Sequence, residues 1–157
     1  MAILEKGDKA PDFTLATDSG EDFILSAQHG HPVVLFFYPQ DDTPSCTIEN
    51  IAFTALADSF AAIGTKVVGI SPDSVQAHGK FRDKHNLGII LAADPDHIAI
   101  NAYGVWGEKT TFGKTYMGLI RSTVLIGPDG KIAERWTVRR VKGHAEAVLA
   151  AAKALIS

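Results

Sequence analysis

The sequence predicts an α/β fold with a mixed central sheet, helices on both faces and an N-terminal β-hairpin. Three observations carry this expectation. Val33 to Tyr38 is an unbroken run of apolar, strand-favouring residues, as a central strand covered on both faces requires. Lys66 to Ile70 and Ile89 to Ala92 are further short apolar blocks, each preceded by a helical segment, which is the order of parallel β-α-β units. Two other pairs of blocks flank turn chemistry, Asp18-Ser19-Gly20 and Gly127-Pro128-Asp129-Gly130, and read as antiparallel hairpins.

Taken in order, Phe13 to Ala16 and Phe23 to Leu25 form the first hairpin. Pro39 ends the central strand. Thr43 and Pro44 then supply a helix N-cap and a first helical residue, opening one long helix that Gly64 closes. Ile48, Ile51, Ala52, Ala55, Leu56, Ser59 and Phe60 follow helical spacing and are the expected buried face. Ser71-Pro72-Asp73 opens a helix to about Asn86, and Asp94-Pro95 opens a shorter one to about Ala102. Gly104, Gly107, Gly113 and Gly118 punctuate a stretch read as a long loop, whose Trp106, Phe112, Tyr116 and Met117 are expected to pack near the site. Arg121 to Ile126 and Lys131 to Val138 form the second hairpin, and Gly143 to Leu155 is a closing helix. With right-handed crossovers this order is the thioredoxin-like arrangement, expected as one domain over residues 1–157.

Composition narrows the function. The chain of 157 residues is 46% apolar and 21% charged, ordinary for a globular protein. A net charge of −3 and a pI near 6.0 give no bulk basicity for nucleic acid, and Arg139-Arg140 with Lys142 is too short to change that. No apolar stretch approaches the roughly 20 residues of a membrane span. The opening Met1 to Lys6 lacks the layout of a secretory signal, so a cytoplasmic location is the expectation. No G-x-G-x-x-G or P-loop pattern occurs. The six histidines, at 29, 31, 78, 85, 97 and 144, have no ligand spacing, and His29 and His31 read as surface residues beside Gly30. Asp94-Pro95-Asp96-His97 is explained by helix initiation, so neither a metal nor an organic cofactor is expected.

The one cysteine, Cys46, forbids an internal disulfide and any C-x-x-C pair. A lone cysteine is by default a small buried hydrophobe. This one lies in the first turn of a helix that follows a central strand, among Asp42, Thr43, Ser45 and Thr47. Free N–H groups and the helix dipole there favour thiolate over thiol, and thiolate is the nucleophile. Arg121 starts the strand expected to run antiparallel beside Val33–Tyr38, which brings its cation close to Cys46; read without Cys46, a strand-end arginine is better taken as facing solvent. Thr43 has two readings: its oxygen caps the helix, or its hydroxyl faces whatever approaches the sulfur.

Pro39-x-x-x-Thr43-x-x-Cys46, with a later Arg121, resembles the peroxiredoxin signature. "GDKAPDFTL", "FFYPQDDTPSCTIEN", "VVGISPDS" and "YGVWGEK" through "YMGLIRSTVLIGPDGKI" extend the resemblance to the bacterioferritin comigratory protein, or peroxiredoxin Q, subfamily. The resemblance covers about Gly7 to Leu155. It implies a thiol-dependent peroxidase that reduces hydrogen peroxide and organic hydroperoxides through a Cys46 sulfenic acid. By the same resemblance Thr43 hydrogen-bonds the peroxide, Arg121 orients the thiolate, Pro39 shields the sulfur and Glu49 holds Arg121. One departure stands out. Many members carry a second, resolving cysteine five residues on or in the next helix, whereas this chain has Ile51 and no cysteine between Asp73 and Asn86. Resolution is therefore expected from an external thiol (thioredoxin, glutaredoxin or a low-molecular-weight thiol), with a second chain's Cys46 as the alternative route. Members of the subfamily are often monomers and some dimerise, so a monomer is expected with a dimer as the alternative. A non-catalytic peroxide sensor using the same cysteine is the rival reading, and a binding module with an inert cysteine is a third.

Overall fold

Strand β3 (Val33–Phe37) is the middle of a five-stranded sheet and is wholly buried, as its unbroken apolar run requires. The structure, a computed structural model, describes residues 4–156, so the first three residues of the opening Met1–Lys6 segment lie outside it. β3 pairs parallel with β4 (Lys66–Ser71), which pairs parallel with β5 (Ile90–Ala93). On its other side β3 pairs antiparallel with β8 (Ser122–Ile126), which pairs antiparallel with β9 (Ile132–Thr137). The sheet order is β5-β4-β3-β8-β9, a mixed sheet as expected. β1 (Thr14–Ala16) and β2 (Asp22–Ile24) form the N-terminal hairpin, and a 3-10 turn over Leu25–Gln28 leads from it towards β3.

Strand alternation divides the core. Val33, Leu35 and Phe37 face a cluster with Phe13, Leu15 and Phe23 of the hairpin region and with Ala99 and Ile100 of the short helix α4 (Ile98–Ala102). Val34, Phe36 and Tyr38 face the opposite cluster, beneath α1 (Pro44–Ala55), α2 (Ala57–Ala62), α3 (Val75–His85) and α5 (His144–Ile156). Among the described residues α-helices thus lie on both faces, four on one and the five-residue α4 on the other. In the four-helix layer Phe36 stacks on Phe53 with ring centroids 4.5 Å apart. Burying a side chain of this size contributes about 1.5–3 kcal/mol.

Four local expectations are corrected. The long helix breaks at Leu56, whose N–H returns to the carbonyls of Phe53 and Thr54, so α1 and α2 are separate. The buried face of α1 is Cys46, Glu49, Asn50 and Phe53, while Ile48 is 57% and Ile51 44% exposed. α3 begins at Val75, with the Ser74 hydroxyl accepting from the Ala77 N–H; Asp73 instead receives the Ser71 hydroxyl and the Asp41 N–H. The stretch from Gly104 to Leu119 is chiefly a hairpin, β6 (Trp106–Thr111) paired with β7 (Lys114–Leu119), turning at Phe112-Gly113 with φ of 52° and 77°. Its Trp106, Phe112, Tyr116 and Met117 are exposed. Asp94 does initiate α4, its two carboxylate oxygens accepting from the N–H groups of Ile98 and Ile100.

Candidate active site

Cys46 is the third residue of α1, which follows β3 after the connecting residues 38–43, and is only 1% exposed. Early N–H groups of a helix lack intrahelical partners and carry the positive end of its dipole, so the sulfur sits in a positive field. The Asn50 side-chain amide donates to the Cys46 carbonyl at 2.9 Å, bracing that turn from within.

Arg121 arrives from the opposite strand. Ser122 pairs with Phe37 in the antiparallel register, which leaves Arg121 level with the end of β3, where the sequence reading put it. One guanidinium nitrogen, Nη2, donates to Cys46 Sγ at 3.2 Å, and Nη1 donates to Glu49 Oε1 at 2.6 Å. Glu49 is 1% exposed and lies one helical turn beyond Cys46, on the same face of α1. Its second oxygen, Oε2, has no hydrogen-bond partner among the described residues. Burial pushes the Glu49 carboxyl up to about 7, and the charge and hydrogen bond of Arg121 offset only part of that. Burial by itself would lower Arg121, but Glu49 and Cys46 outweigh it, and the guanidinium is held more firmly charged than usual. Within the pair desolvation falls harder on the carboxyl, because 14% of the Arg121 side chain reaches solvent against 1% for Glu49.

Thr43 and Pro39 belong to the connecting loop. Thr43 is the N-cap residue by backbone, with φ −91° and ψ 156°, but its side chain accepts no cap hydrogen bond. Its hydroxyl donates to the Gln40 carbonyl at 2.9 Å, so the capping reading is replaced by a loop-closing one. Pro39 is half-buried where β3 gives way to that loop. The sequence reading missed what holds the loop down. The Tyr38 hydroxyl donates to Asp41 Oδ1 at 2.7 Å, and the other Asp41 oxygen faces His78 Nδ1 at 2.7 Å. His78 is fully buried on α3 and bonds the Ala92 carbonyl through Nε2. Next door, Asp42 takes Lys84 and His85 at φ 59°. The available signal was the spacing of His78, Phe81 and His85, which shares one face of α3. Among the described residues no group of three or more His, Cys, Asp or Glu is placed to hold a metal ion.

An enclosed thiol at a helix start, joined by an arginine to a buried carboxyl, is a site for displacement at an electrophile rather than for disulfide exchange between neighbouring cysteines. Comparison with known proteins agrees. The AhpC/TSA family matches residues 6–135. The chain belongs to the peroxiredoxins. It is 45% identical over 141 residues to the peroxiredoxin Bcp of Bacillus subtilis, covering 90% of each chain. It is 40% identical over 153 residues to the peroxiredoxin Bcp of Xanthomonas campestris, covering 98% of this chain and 96% of the other. The solved bacterioferritin comigratory protein of Xanthomonas campestris, studied for its alkyl peroxide reduction activity, superposes with a TM-score of 0.89 at 39% identity over 100% of both chains. Peroxiredoxin Q from Xylella fastidiosa superposes with a TM-score of 0.91 at 35% identity over 98% of both. The resemblance drawn from the sequence therefore holds, and with it the thioredoxin-like fold and the reading of this chain as a thiol-dependent peroxidase.

Proposed function

We propose that Cys46 is the attacking group of a one-cysteine peroxidase cycle whose sulfenic acid is resolved by an external thiol. The thiolate attacks the terminal peroxide oxygen, the O–O bond breaks, and water or an alcohol leaves as the sulfur becomes sulfenic acid. Arg121 orients the sulfur and stabilises charge as the bond breaks, and Glu49 holds the guanidinium in line. The Thr43 hydroxyl has spent its hydrogen on Gln40, so its remaining lone pair accepts from the peroxide O–H. Pro39 walls the sulfur from bulk water. Hydrogen peroxide and small organic hydroperoxides are the substrates. A thioredoxin, a glutaredoxin or a low-molecular-weight thiol returns the sulfenic acid to thiol, with the chain acting as a monomer in the cytoplasm. No described helix is long and apolar enough to cross a membrane.

The arginine that touches both Sγ and Glu49 is the observation that supports this reading. The single cysteine supports the external thiol, since the Xanthomonas campestris peroxiredoxin Q has been solved with each of two different cysteines replaced by serine. Peroxide consumption under excess dithiothreitol, comparing the parent with Cys46→Ser and following intact mass, is the test. Turnover that disappears in the variant, with a trappable sulfenic acid on the parent, is expected. A single oxidation without turnover would make the chain a peroxide sensor instead, and no oxidation would leave Cys46 a packing residue.

A further inference from the structure

Cys46, Glu49 and Arg121 form a closed set with two acidic groups and one base. Both acids present themselves to the same guanidinium, Sγ at 3.2 Å and Oε1 at 2.6 Å. Cys46 and Glu49 are each 1% exposed, so water cannot screen a surplus charge there. The other group that senses Arg121 is His144 of α5, lowered by burial first and by Arg121 second, with Glu146 opposing; it stays neutral and adds no second cation. Asn50, the buried neighbour of Glu49, is neutral as well, and its Oδ1 also lacks a partner among the described residues. One guanidinium therefore neutralises one anion. When the sulfur is thiolate, a carboxylate at Glu49 leaves the site with a net negative charge.

Resting on the peroxidase reading above, we infer that Glu49 is a proton-holding, positioning partner of Cys46: it carries a proton while the sulfur is charged and releases it when the sulfur is oxidised. The orphaned Oε2 points the same way, because an unpaired oxygen is far less costly in a neutral acid than in a carboxylate. The carboxyl's elevation to about 7 makes both states accessible near neutrality. The step balances. Before reaction the site holds thiolate, guanidinium and carboxylic acid. The sulfur electron pair forms the S–O bond, the O–O bond breaks, and the sulfur is oxidised by two electrons as the peroxide is reduced. Afterwards the site holds neutral sulfenic acid, guanidinium and carboxylate, and the Glu49 proton has neutralised the departing hydroxide or alkoxide through solvent, giving water or alcohol. Net charge is zero at both ends.

Infrared difference spectroscopy reads this directly. Reduced protein is compared with protein treated with one equivalent of hydrogen peroxide, near pH 7, where both states of the carboxyl are accessible. Intact mass of the same samples shows whether one oxygen has been added. Loss of a protonated-carboxyl band with that mass gain, shifting when the parent is made with isotope-labelled glutamate, is expected. An indicator dye should find that the parent takes far less than a full proton from the medium per sulfenic acid, whereas Glu49→Gln takes a full one. If Glu49→Gln does not fold, the labelled parent decides alone. The mass gain without any change in the carboxyl band overturns the inference while leaving the peroxidase reading intact. No added oxygen overturns both.

Discussion

Removing the Arg121 guanidinium takes away two hydrogen bonds at once, one from Sγ and one from the Glu49 carboxyl. Arg121→Met is expected to lower kcat/KM for hydrogen peroxide by about 10²–10³-fold, the usual effect of losing one preorganised donor, in single-turnover oxidation of Cys46. Glu49 makes a different prediction, about stability. Its carboxyl titrates ordinarily at 4.5 and here at about 7, so between those values the folded chain holds a proton that the unfolded chain has lost. Stability is then subtracted as pH rises through that window, by on the order of 3 kcal/mol in all. Glu49→Gln has no such slope. Urea unfolding at about pH 5 and about pH 8 should show the variant gaining on the parent by a few kcal/mol, and parallel curves would exclude a raised carboxyl.

At the scale of elements, the segment from β3 to α1 is held by α3. His78→Ala removes the partner of one Asp41 oxygen in an enclosed site, and thermal or urea unfolding should show a loss of about 3 kcal/mol. Amide exchange across residues 39–46 should rise in the same variant, and unchanged exchange would mean that the loop is held elsewhere. The sequence made some of these elements legible and hid others for physical reasons. β3 was plain because a strand covered on both faces has no polar positions. The start of α1 was plain because Thr43-Pro44 can do little else. Its buried face was not, since an enclosed Glu49 paired with Arg121 puts a carboxyl inward and turns Ile48 and Ile51 outward, inverting the apolar periodicity. The β6–β7 hairpin was missed because most of its side chains meet solvent, so no alternation of apolar and polar residues marks it. Cys46, Arg121 and Glu49 were readable as a set, whereas Tyr38, Asp41 and His78 come from three elements and meet only once the chain has folded.

Across the whole molecule, the four-helix layer depends on Phe36, Tyr38 and Leu91 packing directly over Gly69 of β4. A Cβ at Gly69 would lie 2.8 Å from Phe36 Cζ and 3.1 Å from Tyr38 Cε1, inside the aromatic packing that leads to the Asp41 loop. Gly69→Ala should therefore cost about 1–3 kcal/mol in urea unfolding and slow Cys46 oxidation together, and a variant of parental stability and rate would show that the layer yields easily. The same layer carries one further property. Trp136 of β9 meets the His144 ring edge-on at 5.8 Å, His144 bonds Thr123, and Thr123 lies two residues along the chain from Arg121. The other tryptophan, Trp106, stands apart on the hairpin against His97. Through His144 and Thr123 the indole of Trp136 is linked to the strand that delivers Arg121, so it offers a built-in optical gauge: its emission should change when Cys46 is oxidised, and an unchanged spectrum would show that it does not sense the site.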